Sequence, residues 1–421
     1  MHTRLYNFLE EFNAFYDLQY GFRKKHSTDH ALLSIVEEIR SNLDKGLFSC
    51  GVFVDLEKAF DTVNHENLLA KLEHYGVRSV ANDWFRSYLS NRKQLVDLGS
   101  GSSSLKNVTC GVPQGSILGP LLFVLYINDM RHALKFSVVH HFADDTNLLY
   151  SHTNQKTLRK NVNLDLSFLF EWLCANRLSL NVKKTEFIIF RPPRSHLKDR
   201  VTLTLNRCKI FESTEVKYLG IILDSRLSWK HHIIEISKKL SRSVGMLYKM
   251  KNLGCDDKIL LSLYFSLFQS HLSYGLVAWG SSTYTKNIFL IQKRAIRAIS
   301  GLGYSESTAD SFKKFKILTL EKLYQSKLAS LMWDFDHGGL PNHLRKLFNY
   351  SSEVHSFNTR SVAKANLAQN TGFKTNIGSK MLSCTGPKVL NSLKLLPFYH
   401  TSHTKHSFLV KYNTYLLDLF C

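Results

Sequence analysis

Two apolar runs that each stop abruptly on acid constrain this chain more than any other feature. Val52, Phe53 and Val54 read as a buried strand, and the run ends on Asp55. Far downstream, the run from Phe136 to Phe142, interrupted by two histidines, delivers Ala143-Asp144-Asp145 and resumes as Leu148-Leu149-Tyr150. That pattern reads as strand, tight turn, strand, with two acids at the turn. Three carboxylates gathered at neighbouring strand ends repel one another and hold raised pKa values unless a multivalent cation shares them. Hard oxygen ligands suit Mg2+, which keeps some waters and completes its shell with substrate phosphates. Two such ions about 3.5–4 Å apart stabilise the attacking and leaving oxygens of an in-line phosphoryl displacement.

Charge agrees with a phosphate-bearing partner. Lys and Arg outnumber Asp and Glu by 55 to 34, a net charge of +21, which favours a polyanion over a neutral ligand. The 421 residues, 44% of them hydrophobic, fill the cores of two or three domains. Seven cysteines (Cys50, Cys110, Cys174, Cys208, Cys255, Cys384 and Cys421) stand far apart, without a Cys-x-x-Cys pair, and read as reduced intracellular thiols. No apolar run approaches the roughly 18 residues that span a bilayer, and Glu10, Glu11 and Asp17 lie where a secretion signal would be apolar. The expectation is a soluble intracellular protein, nuclear or cytoplasmic, with no membrane partner.

In chain order, Leu5, Phe8, Leu9 and Phe12 mark one face of a first helix, and Gln19 to Thr28 forms a basic turn into a helix over about Asp29 to Asn42. Arg23, Lys24 and Lys25 in that turn suit a triphosphate or a template backbone, with a solvated basic turn as the alternative; Arg23 is favoured because Phe22 fixes its neighbour. Leu68, Leu69, Leu72 and Tyr75 mark one amphipathic scaffold helix; Trp84, Phe85, Tyr88 and Leu89 mark another. Leu95–Leu98 and Leu105–Cys110 read as short strands around a Gly/Ser hairpin tip. Glycines 111, 115 and 119 allow close backbone approach, and Gln114 stands at the mouth of an almost wholly apolar helix reaching Ile127. A long helix carrying Leu158, Val162, Leu166, Leu169 and Leu173 leads to Lys183-Lys184 and a strand over Phe187 to Phe190. Pro192-Pro193 breaks the chain, and Val216 to Leu223 reads as a strand with Gly220 inside it. From about residue 225 long helical runs take over, including Ile259 to Leu276 and Ile288 to Ile299, with a basic face suited to a nucleic-acid backbone or simply to solvent.

The order of these segments resembles the reverse transcriptases of non-LTR (LINE-like, jockey-type) retrotransposons. The resemblance rests on Gln-Tyr-Gly-Phe-Arg at 19–23, Val-Asp-Leu-Glu-Lys-Ala-Phe-Asp at 54–61 and Gly-Val-Pro-Gln-Gly-Ser at 111–116. Phe-Ala-Asp-Asp at 142–145, Leu-Asn-Val-Lys-Lys-Thr at 180–185 and Lys-Tyr-Leu-Gly at 217–220 complete it. It implies an α+β right-hand polymerase with a ferredoxin-like palm: partial fingers over 1–50, palm with the remaining fingers over 51–224, a helical thumb-like region over 225–300 and a helical C-terminal region of unassigned role over 301–421. By the same resemblance Asp55, Asp144 and Asp145, joined by the Leu56 carbonyl, bind two Mg2+ ions, with Mn2+ as an alternative. Lys184 approaches the triphosphate from the side, Gln114 contacts the nucleotide, and Phe60 leaves no room for a 2′-hydroxyl, so that deoxynucleotides are favoured. Arg23 of the basic turn and Gly115 beside Gln114 complete the candidate nucleotide-binding residues. Relatives of this kind carry more of the fingers and an endonuclease ahead of residue 19, so the expectation is an N-terminally truncated copy.

The implied activity is that of an RNA-directed DNA polymerase, a nucleotidyltransferase extending a DNA primer with dNTPs on an RNA template. The rival is a catalytically silent nucleic-acid-binding remnant of a retroelement. A third reading, an RNA-copying RNA polymerase, places no value on Phe60 as a sugar filter.

Overall fold

The computed structural model describes residues 1–192, 202–206, 208–354 and 366–419, so Pro193 and Cys421 lie outside the described residues. The chain forms two compact units, one of residues 1–31 and 47–214, the other of residues 32–46 and 215–421. Both are mixed or helical, and the fold class is α+β.

Helices α1 (His2–Glu11) and α2 (Thr28–Asp44) precede strand β1 (Phe48–Val54) and the two-residue β2 (Leu56–Glu57). Helices α3 (His65–His74) and α4 (Val80–Leu89) lead to a hairpin of β3 (Arg92–Gln94) and β4 (Lys106–Val108). Then come α5 (Gly119–Ile127), α6 (Met130–Ala133), β5 (Val138–Phe142), β6 (Asp145–His152) and α7 (Gln155–Ala175). The first unit closes with β7 (Ser179–Leu180), β8 (Glu186–Phe190), β9 (Thr202–Leu205) and β10 (Cys208–Phe211).

Its centre is a four-stranded antiparallel sheet in the order β5-β6-β1-β8. Six of the seven β1 residues are buried, as the continuous apolar run requires. Helix α5 is apolar on every side, and all its residues but Pro120 are buried. α7 begins at Asn154, whose side chain accepts the amide hydrogens of Lys156 and Thr157, and buries Leu158, Val162, Leu166, Leu169 and Leu173. The histidines that interrupt the second apolar run are both buried in β5, and burial pushes His141 down to about 3, so it is neutral there.

The second unit opens with a hairpin of β11 (Glu215–Tyr218) and β12 (Ile221–Asp224), followed by α8 (Lys230–Asn252). The stretch Val216 to Leu223, expected as one strand, is therefore two strands around a tight turn. Leu219 and Gly220 both take positive φ, 44° and 80°, the geometry of a two-residue hairpin connection. The run Ile259 to Leu276 is not one helix either. It passes from α-helix to a π-helical turn over Tyr264–Gln269, and breaks at Gly275, whose φ of 60° suits glycine. A long amphipathic helix over Thr285–Ser300 packs on α8.

Most of α2 belongs to this second unit, held by buried polar contacts. Arg40 donates to Glu37 at 2.9 Å, to the Ala278 carbonyl at 2.7 Å and to the Lys380 carbonyl at 3.2 Å. The Leu382 amide donates to the other Glu37 oxygen at 2.6 Å. Asp44 accepts from the Lys374 and Thr375 amides and from the Thr375 hydroxyl, each with a contact of 2.8–2.9 Å. Among the described residues no helix is long and apolar enough to cross a membrane.

Candidate functional site

Sheet register brings the acids together. β1 and β6 run antiparallel with Val54 opposite Thr146, so one step further Asp55 stands across from Asp145, with Asp144 next to it in the β5–β6 turn. Residues opposite each other in an antiparallel pair project to the same face, with Cβ atoms about 4.5–5.5 Å apart. The electrostatics agree: withdrawal from solvent, then the charges of Asp144 and Asp55, push the Asp145 carboxyl above its ordinary range.

The turn that carries these acids is held from outside the sheet. The Gly21 and Ala143 amides donate to the buried Gln19 side-chain oxygen at 2.8 and 3.1 Å. The Tyr20 amide donates to the His141 carbonyl, and the His141 amide to the Leu18 carbonyl, which adds a short parallel bridge to the edge of β5. A Cβ on Gly21 would lie 2.3 Å from the Ala143 nitrogen, so only glycine permits this approach. Asp55 is fixed on the other side, where its carbonyl accepts the Asn181 amide at 2.9 Å and its own amide faces the Thr185 hydroxyl at 3.4 Å. Leu56 is buried and pairs with Leu180.

Among the other expected residues, Lys184 has a contact to one of these acids: its ammonium is exposed and 4.0 Å from Asp55 Oδ2. Phe60 is half-buried, stacked on Phe123 at 4.2 Å and edge-on to Phe22 at 6.3 Å. Gln114 is exposed and donates to Asp61 at 2.8 Å; Gly115 beside it has a φ of 73° and open space where a side chain would be. The Gly111 and Val112 amides donate to the Val63 and Phe60 carbonyls, tying this segment to the one that follows Asp55.

Arg23 is placed differently from its neighbours. Its side chain is 10% exposed, donates to the Tyr16 carbonyl at 2.9 Å and to Glu10 at 3.3 Å, and lies over the Phe15 ring. Phe22, expected to fix it, is itself 55% exposed. The residues of this segment that reach the acids are Gln19 and Gly21, which charge-based reading passes over. A glutamine two residues before a glycine is the signal they leave, because each serves backbone geometry.

Asp144 and Asp145 receive no hydrogen bond or ion pair to their carboxylates among the described residues. Nor do any three His, Cys, Asp or Glu groups among the described residues close into a preformed metal cage. The charges of Asp144 and Asp55 nevertheless act on Asp145, so the three acids share one electrostatic neighbourhood on a solvent-facing edge.

Residues 1–223 match the family described as reverse transcriptase (RNA-dependent DNA polymerase). The chain is 28% identical over 316 residues to the probable RNA-directed DNA polymerase from transposon X-element of Drosophila melanogaster, covering 72% of this chain and 34% of that protein. It is 27% identical over 305 residues to the RNA-directed DNA polymerase from mobile element jockey of Drosophila funebris, covering 69% and 33%. The chain thus spans about a third of the length of these relatives. Among solved structures, the telomerase of Candida tropicalis in complex with a fragment of telomeric RNA matches with a TM-score of 0.43 and 14% identity, covering 98% of this chain and 56% of that one.

Proposed function

Since the chain belongs to the reverse transcriptase (RNA-dependent DNA polymerase) family, we propose that its acidic strand ends form the active centre of an RNA-directed DNA polymerase extending a primer with dNTPs. The observation that carries this reading is the register that sets Asp55 across from Asp145, beside Asp144. The β1-helices-β5-β6-α7-β8 connection in the order β5-β6-β1-β8 supports a ferredoxin-like palm. The segments around α3, α4 and the β3–β4 hairpin supply fingers, and α8 with the helix Thr285–Ser300 a thumb-like region.

Asp55, Asp144 and Asp145 are the residues that would hold two Mg2+ ions, with Mn2+ able to substitute and the Leu56 carbonyl adjacent. When bound, such ions neutralise phosphate charge and favour the primer 3′-hydroxyl as a nucleophile. Around them the side chains perform separable tasks. Phe60, backed by Phe123, cannot swing aside, so it excludes a ribose 2′-hydroxyl by volume. Lys184 offers a mobile positive charge to a triphosphate at the edge of the cluster. Gln114, anchored through its amide nitrogen to Asp61, keeps its carbonyl oxygen toward solvent and the incoming nucleotide. Arg23 serves best as a brace for the segment that carries Gln19 and Gly21.

Primer extension on an RNA template tests the assignment. The wild-type chain is expected to incorporate dNTPs, and Asp144→Asn to abolish incorporation; an unchanged rate in Asp144→Asn overturns the mechanism. Salt-sensitive nucleic-acid binding without incorporation in the wild type would instead favour the silent remnant.

A further inference from the structure

Helix α4 turns two kinds of face outward. Phe85 and Leu89 fill the core, while Trp84, edge-on to Phe85 at 5.1 Å, stays 40% exposed. Trp84 stacks on Tyr88, one helical turn later, with centroids 5.5 Å apart and planes 7° from parallel. The Arg92 guanidinium follows at 5.6 Å over the Tyr88 ring, although the helix has by then given way to β3. Three flat groups are thus held in a row at the surface by backbone of different kinds.

The row runs into a basic cleft. Arg92 also lines a cavity of about 670 Å³ together with Lys58, Lys93 and Gln94, and its floor includes Asp61 and Gln114. Asp61 is the acid there, and its carboxylate is engaged by Gln114. Lys106, exposed, sits across from Gln94 in the hairpin. Among the described residues neither Lys93 nor Lys106 forms an ion pair, so their charge is available to a ligand.

We infer that Trp84, Tyr88 and Arg92 form a stacking platform for unpaired bases, and that the adjoining lysines track the backbone of the same single strand toward Gln114. Flat side chains take any base, because every base has a π-face, and a cation stacked among them strengthens the row. The charge in the cleft has the sign that a phosphate backbone requires, and the cleft is continuous with the residue assigned above to the nucleotide. The direction of travel rests on the polymerase reading; the capture of unpaired bases does not.

Fluorescence anisotropy with a short unstructured RNA tests this, alongside a fully paired RNA of equal length. Trp84→Ala is expected to weaken single-strand binding about 10-fold, Trp84→Phe to recover most of the loss, and duplex binding to stay unchanged. Circular dichroism melting of each variant verifies that the fold is kept. Equal single-strand affinity in Trp84→Ala and wild type overturns the platform, as does an equal loss on duplex. Repeating the measurement in Asp144→Asn separates the two proposals. Base capture by a wild-type chain that does not polymerise leaves the platform standing and removes the enzyme.

Discussion

Acids in the two units meet opposite fates. In the second unit, Glu37 and Asp44 are buried and have donors: Arg40 and the Leu382 amide for one, Lys374 and Thr375 for the other. Among the described residues of the first unit, Asp165 is an acid of the same kind, which takes three backbone amides at 3.0 Å and so secures the loop before β5. Among the described residues Asp144 and Asp145 have none of this, and Asp55 has a lysine at 4.0 Å. Burying a charge is tolerable when its hydrogen bonds are met, so satisfied acids report on architecture. Acids that converge unsatisfied are costly to the fold, and a ligand is the natural explanation for keeping them.

The contrast is broken or sharpened by substitution. Asp144→Asn should lower primer extension by about 10³-fold or more, since it removes several kcal/mol of charge stabilisation, yet leave the chemical-denaturation midpoint unchanged or higher. A large fall in that midpoint would mean that the strand-end acids are structural too. Arg40→Met should do the reverse, destabilising by about 3–5 kcal/mol because Glu37 is left buried without its cation. Urea unfolding of the single variant against Glu37→Gln/Arg40→Met measures the pair, and the double variant should recover most of the loss. Asp44→Ala comes next, at about 2 kcal/mol for the stranded Lys374 and Thr375 donors. The smallest effect concerns protons. Asp145 holds its proton to higher pH than an ordinary carboxylate, so Mn2+ affinity should rise as pH climbs through that raised pKa. Asp55→Asn removes a like charge and should shift that rise to lower pH, which a titration monitored by Mn2+ relaxation would detect.

Much of the site was legible because it is written in strands. A period-two pairing and two apolar runs ending in acid suffice to place Asp55 against Asp145, and the apolar α5 announces its own burial. Arg23 escaped because its partners, Tyr16 and Glu10, are set by how the chain folds back on itself, which charge does not reveal. The β11–β12 hairpin escaped because a glycine inside an apolar run marks either a bulge or a reversal, and sequence alone leaves the two open. The membership of α2 in the second unit had no local signal at all. Its amphipathic spacing was plain, but Glu37, Arg40 and Asp44 find partners at Ala278, Lys374 and Leu382, hundreds of positions away.

That last arrangement bears on how the protein is made. At roughly 5–20 residues per second a ribosome takes tens of seconds to pass from Arg40 to Leu382. For most of that interval α2 stands outside the exit tunnel while the partners of Glu37, Arg40 and Asp44 are still to be made, so these contacts form late in synthesis. Expressing residues 215–421 as a separate piece omits the Glu37, Arg40 and Asp44 side chains that this unit binds, whereas supplying α2 as a peptide in trans offers a route to restore them.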